Sequence, residues 1–270
     1  MTDIAATFRA LHVKGDPCLM VNVWDRGSAK MMAAMGAKTL ATSSAAHAFV
    51  LGRPDGGTLT RDEALAHAAD IVGATDLPVQ GDFENGFGEA PEVCAETVRM
   101  AADAGLAGIC IEDTALPDQS AYAFELAVER IAAASAAAKA LPHDFVLTAR
   151  ADGILTGAYD TDEALRRLLA FEAAGADCLY APLPPDMAAL ARICAATTAP
   201  VNALVAGPFN RQTQSSFAKI GVARLSLGSS LARVTHRALY DAGLEMFGEG
   251  RFDALQNGID SDRIDALLTK

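Results

Sequence analysis

The most informative stretch of the chain reads Leu77-Pro78-Val79-Gln80-Gly81-Asp82-Phe83-Glu84-Asn85-Gly86-Phe87-Gly88. It predicts a short apolar strand that ends in two carboxylates and continues into a loop interrupted by glycines. Side chains two positions apart on a strand point the same way, so Asp82 and Glu84 are expected to converge beside a tight turn. Converging carboxylates favour a divalent cation, and oxygen ligands suit magnesium or manganese better than zinc. The alternative for this pair alone is two ordinary surface acids.

Outward from this strand, one type of junction recurs along the chain. A helix end, a glycine and a strand that begins three residues later occur at 34–39, 103–108 and 173–178. The glycine suits the left-handed conformation that ends a helix, and the following apolar run suits a buried strand. Continuing the count predicts strands near 19–23, 39–42, 78–82, 108–112, 145–150, 178–181, 201–204 and 224–227. Eight strands separated by helical patterns predict an α/β fold of the (β/α)8 TIM barrel type.

A doubly wound open sheet is the alternative fold. Its phosphate-binding fingerprint is missing, because the nearest match, Gly86-Phe87-Gly88, continues to Pro91 where a glycine or alanine would be needed. No linker divides the chain, which predicts one domain over residues 1–270 with a helical extension from about residue 230. This extension is longer than barrel closure requires, and we expect it to pack on a neighbouring subunit.

Composition and charge exclude several classes of protein. Hydrophobic residues make up 51% of the chain but aromatic residues only 6%, which is typical of alanine-rich helices on buried parallel strands. The net charge of −12 disfavours nucleic acid and anionic membranes as partners. No apolar run is long enough to span a bilayer and the N-terminus lacks a signal-peptide pattern, so we expect a cytoplasmic protein. The five cysteines form no C-x-x-C pair, which predicts reduced core residues and no structural zinc.

The predicted strand ends carry a distinctive set of polar residues, and in a barrel of this type the chemistry lies at those ends. In strand order they are Trp24 and Asp25, then Ser43 and Ser44 with Asp55 in the following loop, Asp82 and Glu84, Glu112 and Asp113, Arg150 and Asp152, Tyr180, and Asn202. Acids from strands two to four with an arginine on strand five form a mixture suited to holding a metal and a carboxylated substrate together. The alternative for Arg150 and Asp152 alone is an ion pair at the barrel rim.

Seven short segments, taken in chain order, match the motifs of a known superfamily. They are Asp25-x-x-Ser28-Ala29, Ser43, Gly52-x-x-Asp55-Gly56, Asp82-x-Glu84-x-Gly86-Phe87-Gly88, Ile111-Glu112-Asp113, Ala149-Arg150-Ala151-Asp152 and Pro200-Val201-Asn202. In these segments the chain resembles the isocitrate lyase and phosphoenolpyruvate mutase superfamily. The resemblance implies a (β/α)8 barrel whose last helix is swapped between partners of a dimer, usually within a dimer of dimers.

The resemblance also implies a cofactor and a substrate class. Magnesium, or alternatively manganese, would be held by Asp82, with Asp55, Glu84 and Glu112 reaching it directly or through water. The substrate would be a small 2-oxo or 2-hydroxy acid whose carboxylate meets Ser43 and Arg150. We therefore expect catalytic roles for Arg150, Asp55 and Glu112. Further substrate contacts are expected from Trp24, Ser44, Tyr180, Asn202 and His47, the histidine predicted to lie nearest the mouth.

The segment after the fourth strand departs from the family pattern. Isocitrate and methylisocitrate lyases carry a Lys-Lys-Cys-Gly-His lid there, whose cysteine is the general acid, whereas residues 113–122 contain no Cys, His or Lys. Those two activities are therefore not expected, and the lid lysines and asparagine of phosphoenolpyruvate mutases are also absent.

Three functions stay open from the sequence. The leading hypothesis is a magnesium-dependent lyase that breaks a C–C bond of an oxaloacetate-like 2-oxo acid through an enolate, because decarboxylation needs no lid acid for bond breaking. The alternatives are a phosphonopyruvate mutase or hydrolase, which breaks a C–P bond, and a non-catalytic barrel that binds a 2-oxo acid such as 2-oxoglutarate.

Overall fold

Eight parallel strands close into a barrel in the computed structural model, which describes residues 3–269. The barrel strands are β1 (Cys18–Asn22), β2 (Thr39–Ala41), β3 (Val79–Asp82), β4 (Gly108–Glu112), β7 (Val146–Arg150), β8 (Cys178–Tyr180), β9 (Val201–Leu204) and β10 (Arg224–Ser226). Neighbours pair in chain order and β10 pairs with β1. This confirms the (β/α)8 barrel, and each predicted strand end lies within one residue of the observed end. Two short antiparallel strands, β5 (Thr114–Ala115) and β6 (Ser120–Ala121), form a hairpin outside the barrel.

Helices cover the barrel. They are α1 (Ile4–Ala10), α2 (Arg26–Ala34), α3 (Ser44–Val50), α4 (Arg61–Val72), α5 (Pro91–Asp103), α6 (Phe124–Lys139), α7 (Gly153–Thr156), α8 (Thr161–Ala173), α9 (Met187–Ala196), α10 (Gln214–Lys219), α11 (Ser230–Leu244) and α12 (Ser261–Leu268). Two 3-10 helices (Gly207–Arg211 and Asp253–Asn257) and a π-helical turn (Glu245–Glu249) complete the set. Within the described residues, no helix combines the length and apolar character needed to cross a membrane.

The predicted glycine junctions explain how helices pass into strands. Gly36, Gly105 and Gly175 have φ values of 106°, 86° and 99°, which is the left-handed region that glycine adopts without steric cost. At Gly175 a Cβ atom would also collide with the side chains of Ser135 and Lys139. The sharp turn lets the chain leave a helix and enter the next buried strand directly, as the sequence predicted.

Asp25 has a local structural role. It is the N-cap of α2: its carboxylate accepts a hydrogen bond from the Ser28 N–H at 2.6 Å, and the Ser28 hydroxyl lies 3.1 Å from the Asp25 N–H. This reciprocal arrangement satisfies donors at the start of the helix. The Asp25-x-x-Ser28 segment is therefore explained by helix capping.

The interior of the barrel is polar beneath the mouth. Arg224 is fully buried, and its guanidinium donates to the side-chain oxygens of Asn202 at 2.8 Å and Gln80 at 2.6 Å. Asn202 in turn donates to the Ser226 hydroxyl at 2.8 Å. These neutral acceptors form a hydrogen-bonded floor under the strand ends, which places Asn202 inside the barrel rather than at its opening.

The C-terminal part of the chain is the most exposed. Large apolar side chains on α11 and the turns after it face solvent, and Phe247 is 90% exposed. Near the end, α12 returns to α2, where the Lys30 ammonium donates to the Leu268 carbonyl at 3.2 Å. The single domain over residues 1–270 stays a prediction, and residues 1, 2 and 270 lie outside the described part of the chain.

Candidate active site

A cavity of about 330 Å³ lies at the carboxyl ends of the barrel strands. Eight predicted site residues line it: Ser43, Ser44, Asp55, Asp82, Glu84, Glu112, Arg150 and Tyr180. The rest of its wall includes Asp152, Thr114, Leu116, Gln119, Leu155, Thr156, Leu204 and Ser229. The sequence therefore predicted most of the charged residues that line the cavity. It did not predict the neutral residues of the wall, because they come from loops and from the hairpin.

Asp82 occupies the end of β3 and is fixed by the start of the next helix. One carboxylate oxygen accepts hydrogen bonds from the backbone N–H and the hydroxyl of Ser44, both at 2.9 Å. The other oxygen lies 4.0 Å from the nearest nitrogen of Arg150. Because Ser44 is the first residue of α3, a free helix N–H group orients Asp82 at the cavity.

Glu84 reaches the same cavity through an unusual backbone conformation. Its φ is 46°, in the left-handed region that side chains other than glycine rarely adopt, and such a residue costs about 1–3 kcal/mol. The Gly57 N–H donates to the Glu84 carboxylate at 3.1 Å, which links the loop after β3 to the loop that carries Asp55. Both members of the Asp82–Glu84 pair therefore line the cavity, as the spacing predicted.

Burial, reinforced by neighbouring negative charge, raises the pKa values of three acids in the cavity. Burial raises the pKa of Glu84 to about 7, and the charges of Asp82 and Asp55 add to this effect while the Gly57 N–H opposes it. Burial also raises the pKa of Asp55 and, more strongly, that of Glu112, and the charge of Asp82 adds in both cases. Asp82 thus acts on all three other acids.

The donor set suits a hard divalent cation. Within residues 3–269, no group of three Asp, Glu, His or Cys side chains stands close enough to enclose an ion without help. Magnesium does not require such a group, since it usually retains several waters and takes one or two protein carboxylates. Carboxylate oxygens around Asp82, with water completing the shell, fit that preference. The predicted metal ligands stay a prediction.

Arg150 is partly buried beside three acids at the end of β7. Its Nε donates to Asp152 at 2.5 Å, and one terminal nitrogen lies 3.2 Å from Glu112. Burial disfavours the charged guanidinium, but the charges of Asp152 and Glu112 more than offset this and raise the Arg150 pKa well above its ordinary value. Arg150 therefore forms ion pairs at the rim and also lines the cavity. This position is compatible with both predicted roles, the rim ion pair and the anchor for a substrate carboxylate.

Asp113 supports this arrangement from outside the cavity. Its carboxylate accepts from the Asp152 N–H at 2.8 Å, from the Tyr159 hydroxyl at 2.7 Å and from Arg167 at 2.9 Å. Neighbouring residues on a strand point to opposite sides, so Glu112 faces the cavity while Asp113 faces the surrounding helices. Through Asp152, this buried network helps to fix the position of Arg150.

Three predicted substrate contacts lie away from the cavity lining in the described structure. Asn202 belongs to the barrel floor, and Trp24 uses its carbonyl to contact the His67 ring at 2.9 Å. His47 stacks on His67 with ring centroids 3.8 Å apart. Burial, followed by the proximity of His67, lowers the His47 pKa to about 4. Asn202 nevertheless lines a small cavity together with Asp82, Arg150 and Tyr180, which also line the main cavity. The substrate-binding role of all three residues stays an untested prediction.

The hairpin β5–β6 covers one side of the opening. A Cβ atom placed on Gly57 would lie 3.0 Å from the Cβ of Leu116, and one on Gly56 would lie 3.0 Å from the amide nitrogen of Gln119. Two successive glycines therefore let the hairpin tip approach the Asp55 loop closely. This segment carries Thr114, Leu116 and Gln119 into the cavity wall in place of the Cys, His and Lys side chains that it lacks.

Comparisons with known proteins agree with this architecture. The family model for phosphoenolpyruvate phosphomutase matches residues 8–247. The chain is 30% identical over 253 residues to an oxaloacetate decarboxylase of Ectopseudomonas mendocina (strain ymp), covering 91% of this chain and 85% of the relative. It is 37% identical over 155 residues to 2,3-dimethylmalate lyase of Eubacterium barkeri, covering 56% and 52% of the two chains.

Solved structures extend the likeness over nearly the whole chain. A Burkholderia cenocepacia J2315 protein, described provisionally as a lyase/mutase, is 42% identical with a TM-score of 0.94, covering 99% of this chain and 96% of that one. Phosphoenolpyruvate phosphomutase from Streptomyces platensis subsp. rosaceus is 25% identical with a TM-score of 0.84, covering 98% and 94%. The chain therefore belongs to the phosphoenolpyruvate phosphomutase family and is an enzyme of the phosphoenolpyruvate mutase/isocitrate lyase superfamily of lyases and mutases.

Proposed function

We propose that this enzyme is a magnesium-dependent lyase that cleaves a carbon–carbon bond of a small 2-oxo acid, and that it decarboxylates an oxaloacetate-like diacid. The observation that carries the proposal is the meeting of Asp55, Asp82, Glu84 and Glu112 with Arg150 in one cavity. The similarity to an oxaloacetate decarboxylase over most of the chain supports the choice of substrate.

Each charged residue has a role in this proposal. Asp82 would be the main metal ligand, and Glu84, Asp55 and Glu112 would hold the ion directly or through water, with manganese as a substitute. Magnesium bound by these residues would supply Lewis-acid chemistry that stabilises the negative charge developing on the 2-oxo oxygen as the carbon–carbon bond breaks. Asp55 and Glu112 are proposed as catalytic because their carboxylates line the same cavity as Asp82 and Arg150.

Arg150 binds the carboxylate next to the 2-oxo group, assisted by the hydroxyl of Ser43. A guanidinium can donate to a carboxylate through two parallel bonds, which fixes the plane of the substrate. The bond between C3 and C4 then breaks, its electron pair forms the enolate of pyruvate, and C4 leaves as carbon dioxide. Solvent supplies the proton that converts the enolate to pyruvate. Bond breaking requires no general acid from residues 113–122, which agrees with their lack of Cys, His and Lys and with the position of Asp113 and Asp118 outside the cavity lining.

Phosphonate chemistry is the second candidate, and the charge of the cavity disfavours it. Arg150 is the one cationic side chain among the described residues that line the cavity, and two of its nitrogens already face Asp152 and Glu112. A phosphonate dianion would demand more positive charge than a carboxylate. A barrel that binds a 2-oxo acid without turnover is the third candidate, and only an activity measurement separates it from a lyase.

A substrate panel tests the proposal. Purified enzyme treated with a chelator and then reloaded with magnesium should release carbon dioxide and pyruvate from oxaloacetate faster than magnesium alone does. Turnover of phosphonopyruvate, with none of oxaloacetate or of C4 to C7 hydroxy diacids, would favour the C–P alternative. Thermal stabilisation by 2-oxo acids without any turnover would favour the non-catalytic barrel.

We also propose that the enzyme is a homo-oligomer, a dimer or tetramer, that assembles through its C-terminal helices. Val234, Leu239, Tyr240 and Phe247 are all at least 60% exposed and follow one another along α11 and the turn after it. Large exposed apolar patches are uncommon on proteins that act as monomers. A second copy of the chain would bury these side chains.

A further inference from the structure

Arg224 carries a positive charge into the barrel floor without a negative partner. Its side chain is fully buried, and the guanidinium donates to the side-chain oxygens of Gln80 at 2.6 Å, Asn202 at 2.8 Å and Thr148 at 3.2 Å. All three acceptors are neutral. Among residues 3–269, no carboxylate forms an ion pair with this guanidinium. Buried charges are normally paired with opposite charges, so the charge of Arg224 is left free to act on its surroundings.

The fourth contact of Arg224 is neutral as well. One terminal nitrogen lies 3.0 Å from Nε2 of His12, and Nδ1 of the same ring lies 2.9 Å from the Phe8 carbonyl oxygen. Arginine can only donate, so Nε2 accepts and Nδ1 carries the proton. Burial, followed by the charge of Arg224, lowers the His12 pKa to about 3. His12 is therefore uncharged at neutral pH and adds no charge to the floor.

The guanidinium lies one layer of side chains below the charged residues of the mouth. Gln80 is two positions before Asp82 on β3, and the two side chains point the same way. Thr148 has the same relation to Arg150 on β7. Two residues span about 7 Å along a strand, which sets the depth of the floor beneath the mouth. Arg224 contacts the lower member of both pairs, so its charge lies directly under the site.

A small cavity connects the two levels. It has a volume of about 50 Å³, and its wall includes Asn202 and Arg224 from the floor with Asp82 and Arg150 from the mouth. Cys110 belongs to the same wall. Burial raises the pKa of its thiol, the charges of Arg150 and Arg224 oppose this shift, and the charge of Asp82 adds to it. The charges of floor and mouth therefore act within one buried region, where electrostatic interactions are stronger than in water.

We propose that Arg224 is an electrostatic positioning residue, whose uncompensated charge attracts the substrate carboxylate and weakens the binding of the metal by the acids. This inference rests on the proposed metal site and on a 2-oxo acid as substrate. The acids that line the main cavity repel an anion, and a cation beneath them offsets this repulsion without touching the substrate. The same cation repels a divalent metal ion. The neutral partners of Arg224 are essential to this role, because a carboxylate beside it would cancel the charge.

Gln80→Glu tests the charge while keeping the contacts. The Gln80 side-chain oxygen accepts from the Thr148 hydroxyl at 3.0 Å and from Arg224, and a carboxylate oxygen can accept both bonds. The variant therefore pairs Arg224 with an acid, and we expect a melting temperature near that of the wild type. In calorimetry with the full-length enzyme, it should bind magnesium about 10-fold more tightly and, once loaded with magnesium, bind pyruvate about 10-fold more weakly.

Two substitutions of Arg224 itself separate charge from packing. Arg224→Gln removes the charge, whereas the matched control Arg224→Lys keeps the charge and loses most of the hydrogen bonds. Arg224→Gln should shift both affinities in the same directions as Gln80→Glu. Arg224→Lys should keep both affinities near the wild-type values even if it melts at a lower temperature. A purely structural role predicts instead that both Arg224 variants bind magnesium and pyruvate more weakly and that Gln80→Glu changes neither affinity.

Unchanged affinities in Gln80→Glu, or a shift of the same sign for magnesium and pyruvate, would overturn the proposal. If an Arg224 variant does not fold, Gln80→Glu decides alone. If the wild type binds no magnesium, the metal assignment fails, and weaker pyruvate binding by metal-free Gln80→Glu than by the metal-free wild type supports the role of Arg224, while equal binding excludes it. A wild type that binds neither ligand excludes it too. Opposite shifts without turnover of oxaloacetate would support the role of Arg224 while the proposed decarboxylation fails.

Discussion

Replacing Arg150 by lysine tests how the cavity holds a carboxylate. In the wild type, the Arg150 Nε donates to Asp152 and one terminal nitrogen faces Glu112, while the second terminal nitrogen makes no hydrogen bond within the described residues. Lysine keeps the charge but has a single nitrogen at the end of a flexible chain. It cannot face both acids and also grip a substrate carboxylate in a fixed plane.

The size of the effect follows from what each variant loses. A bidentate, charge-assisted hydrogen bond from the guanidinium to the substrate carboxylate should contribute on the order of 2 to 4 kcal/mol of transition-state stabilisation, or roughly 30- to 1000-fold in kcat/KM. Arg150→Ala has a second consequence, because the Asp152 and Glu112 side chains are only 5% and 8% exposed and would lose their countercharge. Removing one partner of a buried ion pair costs about 3 to 5 kcal/mol of stability. The lysine variant therefore separates binding from folding better than the alanine variant.

The assay combines steady-state kinetics with melting curves for Arg150→Lys, Arg150→Ala and Arg9→Lys. Arg9 is the matched control because it also holds two acids, Asp144 at 2.7 Å and Asp177 at 2.6 Å, in loops that precede barrel strands at the opposite end. Arg150→Lys should lose nearly as much kcat/KM as Arg150→Ala, and Arg9→Lys should lose none. If Arg150→Lys keeps most of the activity while Arg150→Ala loses activity and melting temperature together, Arg150 is only a brace for the rim.

Three further changes test the metal site, the assembly and the hairpin. Asp82→Ala should abolish the rise in melting temperature caused by magnesium, because the remaining acids then bind the ion mainly through water, and an equal rise in variant and wild type would refute this. Light scattering at micromolar concentration should give a dimer or tetramer rather than a monomer, and removal of the chain after residue 238 should give insoluble protein. Gly57→Ala should raise KM, because the added Cβ atom would displace Leu116 from the cavity wall. Gly52→Ala is the control, since Gly52 has a similar positive φ but no atom within 4 Å of an added Cβ. The control should lose only about 1 kcal/mol of stability and keep the wild-type KM.

The sequence predicted the scaffold well because local rules determine it. Glycines with positive φ mark the passage from helix to strand at Gly36, Gly105 and Gly175, and buried strands follow as apolar runs. Once the strands are counted, their carboxyl ends meet at one face of the barrel. The acids that follow β2, β3 and β4 therefore had to come together with Arg150, and they do.

The neutral part of the site could not be predicted in the same way. The positions of Thr114 and Leu116 depend on the close approach of the hairpin to Gly56 and Gly57, which are distant in sequence. His47 shows a second limit of local patterns. Its position after β2 suggested the mouth, and the structure adds a stacking contact with His67 from α4 that the sequence did not predict. Contacts between loops and between helices decide such cases, and no local pattern encodes them.

The division between charged strand ends and a neutral wall has a consequence for the proposed chemistry. Asp82, Glu84 and Arg150 lie at barrel strand ends or directly after them, so a common scaffold can supply activation of a 2-oxo acid. The bond that breaks lies farther out, beside the segment that follows Glu112. If the proposed function is right, a lid that carries a general acid and a hairpin that brings only Thr114, Leu116 and Gln119 to the cavity would direct the same activated substrate to different outcomes. The acid in the hairpin, Asp118, is exposed and lies outside the cavity lining. This leaves decarboxylation as the cleavage that needs least from the hairpin, because carbon dioxide departs without accepting a proton.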